Sequence, residues 1–171
     1  MYQFSRGGLP TKVPGSYYWD SRPINSSVDA GKLYYNGSDP VHGIELWSYD
    51  GINPPAMISE VVPGGNGGNL KEFRHFNGSL YFQAQDSAHG MELWEYDGVS
   101  ASIVEDVQEK HRNFAPANLM EYNGDLYFSG YGDVGNELWK LCGPKVEHHD
   151  TIVSCSPYTW PISNKTYLSS G

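Results

Sequence analysis

The stretch Gly90-Met91-Glu92-Leu93-Trp94-Glu95-Tyr96-Asp97-Gly98 is preceded by Gly43-Ile44-Glu45-Leu46-Trp47-Ser48-Tyr49-Asp50-Gly51 and followed by Gly135-Asn136-Glu137-Leu138-Trp139. The three tryptophans stand 47 and 45 residues apart. A second landmark keeps step with them: Leu33-Tyr34-Tyr35, Leu80-Tyr81-Phe82 and Leu126-Tyr127-Phe128 recur at 47 and 46 residues. Two landmarks moving together mean that whole units are duplicated, and such a period dictates a repeat architecture.

Within the second unit the pattern predicts four short strands, over 80–84, 92–96, 102–107 and 118–122. Asp97-Gly98 and Asn123-Gly124 are turn pairs that supply the positive φ angles of tight hairpins, and Asn77-Gly78 does the same one unit earlier. Period-two alternation puts Leu80, Phe82 and Ala84 on one face of their strand and Tyr81 on the other. Both faces carry apolar bulk, as expected of a sheet packed between two others. Helical periodicity is absent. The expected fold is all-β, with β-propeller-like blades: about three antiparallel four-stranded repeats, one roughly every 46 residues. An open meander solenoid or a sandwich is the alternative.

Composition agrees. The chain has 171 residues, with 20 Gly, 11 Pro and 13 Tyr, which suits short aromatic strands separated by many turns. A formal net charge of −9 leaves no basic footprint for nucleic acid or for anionic membrane surfaces. No apolar run approaches the roughly 20 residues of a membrane-spanning helix. The first eight residues carry no apolar signal-peptide core, which by itself says little about compartment.

The repeated Gly-x-Glu-Leu-Trp-x-Tyr-Asp-Gly resembles the ELWxxDGT repeat of large secreted and surface-attached bacterial proteins. There the motif commonly follows His-Gly and a Leu-Tyr-Phe strand. The likeness covers residues 31–143, with His42-Gly43 and His89-Gly90 upstream of the motif. It departs at Ile52 and Val99, where the family has Thr, and at Val134-Gly135, which replaces His-Gly. The stretch Ser154-Cys155-Ser156-Pro157-Tyr158-Thr159-Trp160, with Thr166-Tyr167 and Ser170-Gly171, is similar to the start of a module in adhesin-like surface proteins of the Bacteroidetes. A closing strand is the competing reading of that tail.

The resulting division is an N-terminal segment over 1–30 that supplies part of a blade, then repeats over 31–77 and 78–123 and a partial one over 124–143. Residues 144–171 form a linker and the start of a further module or a closing strand. Three units fall short of the about four to eight blades that close a propeller. Being one piece of a longer array is the first expectation, and closure by homo-oligomerisation the second.

The candidate ligand-binding residues are Asp39, His42 and Glu45 and, one repeat later, Asp86, His89 and Glu92, all in or beside the loop joining the first two strands of a unit. Clustered oxygen ligands are what Ca²⁺ takes, about six to eight at a time. The dense Asp-x-Asp-x-Asp spacing is lacking, however. The favoured reading is that His and Glu hydrogen-bond loop amides and position the hairpin. Tyr34, Tyr81, Tyr127, Trp47, Trp94 and Trp139 suit sugar stacking by chemistry and core packing by position, and the second is preferred. The loops over 63–69 and 109–114 differ between units and are the expected contact surfaces.

Cys142 and Cys155 permit one internal disulfide, plausible in a secreted chain. No zinc-type spacing occurs. There is no nucleophile elbow, Walker loop, His-Glu-x-x-His or dinucleotide fingerprint. The expectation is therefore a non-enzymatic extracellular or cell-surface module for adhesion, ligand binding or spacing, whose partners are other surface proteins or glycans. A lectin-like carbohydrate binder comes second and a glycan-processing enzyme third.

Overall fold

The computed structural model describes residues 12–14, 26–64, 67–107 and 113–142, together with the backbone of 145–146, 152–153, 158–159 and 166–167. It is all-β, and no helix occurs among the described residues. Eleven strands build three antiparallel sheets. The first holds β1 (Ser26–Asp29), β2 (Lys32–Asp39), β3 (Gly43–Tyr49) and β4 (Ala56–Ser59), paired in chain order. The second repeats it with β5 (Lys71–Phe76), β6 (Ser79–Asp86), β7 (Gly90–Tyr96) and β8 (Ala101–Glu105). The third has three strands, β9 (Ala117–Tyr122), β10 (Asp125–Gly132) and β11 (Gly135–Cys142). Two short pairs follow: β12 (Lys145–Val146) with β13 (Ile152–Val153), and β14 (Tyr158–Thr159) with β15 (Thr166–Tyr167).

The strands group differently from a division at Leu-Tyr-Phe. Asn123-Gly124 joins β9 to β10 with Tyr122 opposite Asp125, so residues 117–122 open the third sheet and do not close the second. The reason is geometric: a two-residue hairpin connects neighbours in one sheet, so the break between sheets falls in the longer connection that precedes it. The same holds at Asn77-Gly78, with Phe76 opposite Ser79, and at Ala30-Gly31, with Asp29 opposite Lys32. In all three turns the first residue has positive φ: 46° at Ala30, 49° at Asn77 and 52° at Asn123. Asn tolerates that region far better than Ala. Ala30→Asn is therefore expected to raise stability by about 0.5–1 kcal/mol, measured as a higher urea midpoint with unchanged slope.

The sheets stack face to face as an open array. The first strands draw together, β1 against β5 and β5 against β9. Glu72 Oε2 accepts the Asn118 amide at 2.7 Å, and Arg74 Nε donates to the Leu119 carbonyl at 3.1 Å, so β5 is tied to β9 by side chains. Between the first two sheets lie Leu46, Val61, Leu70, Leu80, Phe82, Ala84 and Trp94. Between the second and third lie Phe76, Tyr81, Leu93, Phe114, Leu119, Leu126 and Phe128. Leu80, Phe82 and Ala84 thus face one neighbour and Tyr81 the other. The middle sheet thus buries side chains on both faces, most completely along β6, where Leu80 to Ala84 are all buried.

Each tryptophan strand is matched by a small residue two positions beyond the aromatic of the Leu-Tyr-Phe strand: Gly37, Ala84 and Gly130. A Cβ at Gly37 would stand 2.5 Å from the Trp47 ring, and one at Gly130 would run into the Phe114 ring. Large rings fill the space between sheets only because these positions are small.

Candidate functional site: the joint between sheets

The repeated polar residues divide into two devices. In the first, Asp39 Oδ1 accepts the amides of Val41 and His42 at 2.8 and 2.7 Å, while Oδ2 meets His42 Nδ1 at 2.8 Å. One repeat later Asp86 does the same to Ala88, His89 and the His89 ring, at 2.9, 2.6 and 2.7 Å. An aspartate that bonds its own backbone two and three residues ahead folds the turn locally. The His42 amide and ring hold the Asp39 carboxyl below the usual carboxylate range, and that carboxyl raises His42. At Asp86 burial pushes upward, but the His89 hydrogen bonds prevail and its pKa is lowered; His89 is raised by the same bond. Asp50 and Asp97 fold the next turns alike, and the Asn53 side chain helps bring Asp50 down to about 2.

The second device uses the glutamates. Glu45 and Glu92 are fully buried. Glu45 Oε2 accepts the amides of Val61 at 2.7 Å and Val62 at 3.3 Å, and Glu92 Oε1 accepts that of Phe114 at 3.3 Å. These amides belong to the connection leading to the next sheet, 16 and 22 residues ahead. The second oxygen of each carboxyl is buried with no hydrogen-bond partner. Burial drives Glu45 up to about 7 and Glu92 up to about 8, against the pull of the nearby amides.

The expected hydrogen bonding of loop amides is seen for the glutamates, in the connection to the next sheet and not in the hairpin, and the histidine rings bond Asp39 and Asp86 instead. Aspartate folds the hairpin, histidine is held by it, and glutamate reaches forward to the joint. The loops over 63–69 and 109–114 also carry bonds between sheets, while Pro63, Gly64, Asn69 and Asn113 in them are exposed. The Gly68 amide donates to the Ile44 carbonyl at 2.9 Å, and the Gly68 carbonyl accepts from Gln85 at 2.7 Å, so one residue bridges two sheets. At the next joint the Ala115 amide donates to Met91 at 2.8 Å and Phe114 accepts from Tyr131 at 2.7 Å. Leu70, Phe114 and Pro116 beside these bonds are buried. Residues 65–66 and 108–112 lie outside the described part.

Trp47 and Trp94 are buried and Trp139 is half-buried, donating from Nε1 to the Gly130 carbonyl at 3.2 Å. Tyr81 is buried, and Tyr34 and Tyr127 are half-buried. No group of three or more His, Cys, Asp and Glu side chains able to hold a metal ion occurs among the described residues. Cys142 is disulfide-bonded, and Cys155 lies outside the described residues. No helix among the described residues is long and apolar enough to cross a membrane.

Sequence reasoning missed Glu72 and Arg74, because no residue identity recurs at their positions one repeat on. It also missed the small-residue position at Gly37, Ala84 and Gly130, although that signal sits in plain register with the Leu-Tyr-Phe landmark. Compared with known proteins, the chain matches no family model, no curated protein and no solved structure.

Proposed function

We propose that this chain is a non-enzymatic β-repeat module of an extracellular or cell-surface protein of the ELWxxDGT type, acting as a spacer and presenting scaffold for adhesion. The observation that carries the reading is where the repeated polar residues go. Asp39, Asp86, Glu45 and Glu92 are spent on backbone amides of turns and joints, so what recurs in each unit serves the stacking of units. Function then falls to what differs between units. The disulfide at Cys142 supports an oxidising compartment, and the net charge of −9 argues against nucleic acid as partner.

Screening the purified chain on a glycan array, with and without EDTA, tests this. The expected result is no EDTA-sensitive binding, since the loop acids are already engaged. Glycan binding lost with EDTA would replace the spacer by a Ca²⁺-dependent lectin. Release of sugar from any polysaccharide would overturn the non-enzymatic reading.

A further inference from the structure

Each joint between sheets is held down at one buried carboxyl. Glu45 and Glu92 are both 0% exposed. Each spends one oxygen on the connection to the next sheet, on the Val61 and Val62 amides in the first joint and on the Phe114 amide in the second. The other oxygen, Oε1 of Glu45 and Oε2 of Glu92, is buried without a hydrogen-bond partner. The charged groups facing Glu45 are Glu60, just after β4, and His42; those facing Glu92 are Asp106, just after β8, and His89. Asp106 Oδ1 is itself buried without a partner. The histidines are bonded to Asp39 and Asp86 inside their own turns, so they stay with the turn when the connection moves.

What the connection carries is separable from what each sheet carries. Val61 sits in the core between the first two sheets and Phe114 in the core between the second and third. Beside them run the backbone bonds from Gly68 to Ile44 and from Ala115 to Met91. The β2–β3, β6–β7 and β10–β11 ladders use none of these groups. An ionised carboxyl sealed in the closed joint is a buried charge short of donors, and it is relieved when the connection lifts and water reaches both oxygens.

We infer that Glu45 and Glu92 are proton-controlled latches, one to each joint: with its proton the carboxyl keeps the connection closed on its sheet, and without it that connection opens while the hairpins on either side stay paired. The inference is independent of compartment and of the spacer reading. Burial holds Glu45 at about 7 and Glu92 at about 8 in the closed joint, and opening returns them towards 4.5. Between 4.5 and those values the closed joint keeps a proton that the open joint releases. Opening therefore becomes about tenfold more frequent with each pH unit.

Amide hydrogen exchange of the full chain from pH 5 to 9, read residue by residue, tests this. Exchange is base-catalysed and quickens about tenfold per pH unit by itself, so an amide freed by proton-linked opening quickens about a hundredfold. The steeper dependence is expected at Val61 and Gly68 up to about pH 7, and at Phe114, Ala115 and Tyr131 up to about pH 8. The β6–β7 ladder keeps the ordinary one. Glu92→Gln returns the second joint to the ordinary dependence and leaves the first steep; Glu45→Gln does the reverse, so each variant carries its control in the other joint. The ordinary dependence at both joints of the parent overturns the inference, because opening then moves no proton. The steeper dependence at joint and ladder alike also overturns it, since the fold then opens as a whole. So does either variant that flattens both joints together, which would leave no separate latch at each.

Discussion

Glu92→Gln will make the protein more stable than its parent at pH 8 and less stable at pH 5. The Glu92 carboxyl is fully buried, and burial lifts its folded pKa to about 8 from an unfolded value of 4.5. Below 4.5 both states hold the proton and the full contribution to stability is present. Between 4.5 and about 8 the unfolded chain releases it while the folded chain keeps it, and stability falls by about 1.4 kcal/mol per pH unit. Glu45 adds a parallel loss that ends near pH 7. Glutamine cannot ionise, so the parent-minus-variant difference isolates this slope.

The low-pH arm has its own cause. Glutamine retains an oxygen for the Phe114 amide, but it adds amide donors where the second carboxyl oxygen has no partner. Burying such a donor costs about 1–3 kcal/mol. His42 and His89, both raised, also lose stabilising power as pH climbs through their folded values. Asp39, Asp50, Asp86 and Asp97, all lowered, lose theirs only as pH falls below the ordinary carboxylate range. The parent's optimum should therefore lie on the acid side, near pH 5. Urea unfolding from pH 5 to 9 measures this, and parallel curves for parent and Glu92→Gln would refute the buried-carboxyl account. Glu137→Gln is the control, since that residue is half-buried and holds no connecting amide among the described residues.

Much of this fold was legible because the deciding signals are local or periodic. The Glu-Leu-Trp spacing announced repeated sheets, and the alternation of Leu80, Phe82 and Ala84 against Tyr81 announced that both faces are covered. The strand grouping differs from the sequence reading although its signal is present: Asn77-Gly78 and Asn123-Gly124 are hairpin turns, and a two-residue hairpin joins neighbours within one sheet, so neither can separate two units. The role of Glu45 and Glu92 was not legible at all. Their partners stand 16 and 22 residues ahead in segments of unlike sequence, Val61-Val62 and Phe114, and backbone amides leave no mark in a sequence. The turn made by Asp39 is local, reaching amides two and three residues ahead, yet the sequence reading gives the positioning of the hairpin to His42 and Glu45.

Gly67→Ala will destabilise the protein far more than Gly51→Ala, and the gap measures how tightly the sheets are joined. The two glycines share a left-handed backbone, with φ of +68° and +85°. Alanine in that region costs about 1–2 kcal/mol at either site. Their surroundings differ completely. A Cβ at Gly51 meets nothing within 4 Å, whereas one at Gly67 runs into the backbone nitrogen, carbonyl and Cα of Ile44. A backbone cannot swing aside as a flexible side chain does, so the connection must lift away from β3. Lifting it breaks the Gly68 bond to Ile44, loosens the bond from Gln85, and withdraws Leu70 from the core between the first two sheets. Together these place Gly67→Ala at about 4 kcal/mol or more of destabilisation, against about 1–2 kcal/mol for Gly51→Ala. Urea midpoints of the two variants give the comparison directly. Equal midpoints would mean that the connection yields freely, and that burial by Leu46, Leu70 and Phe82 alone, without the backbone bridge at Gly68, holds one sheet against the next.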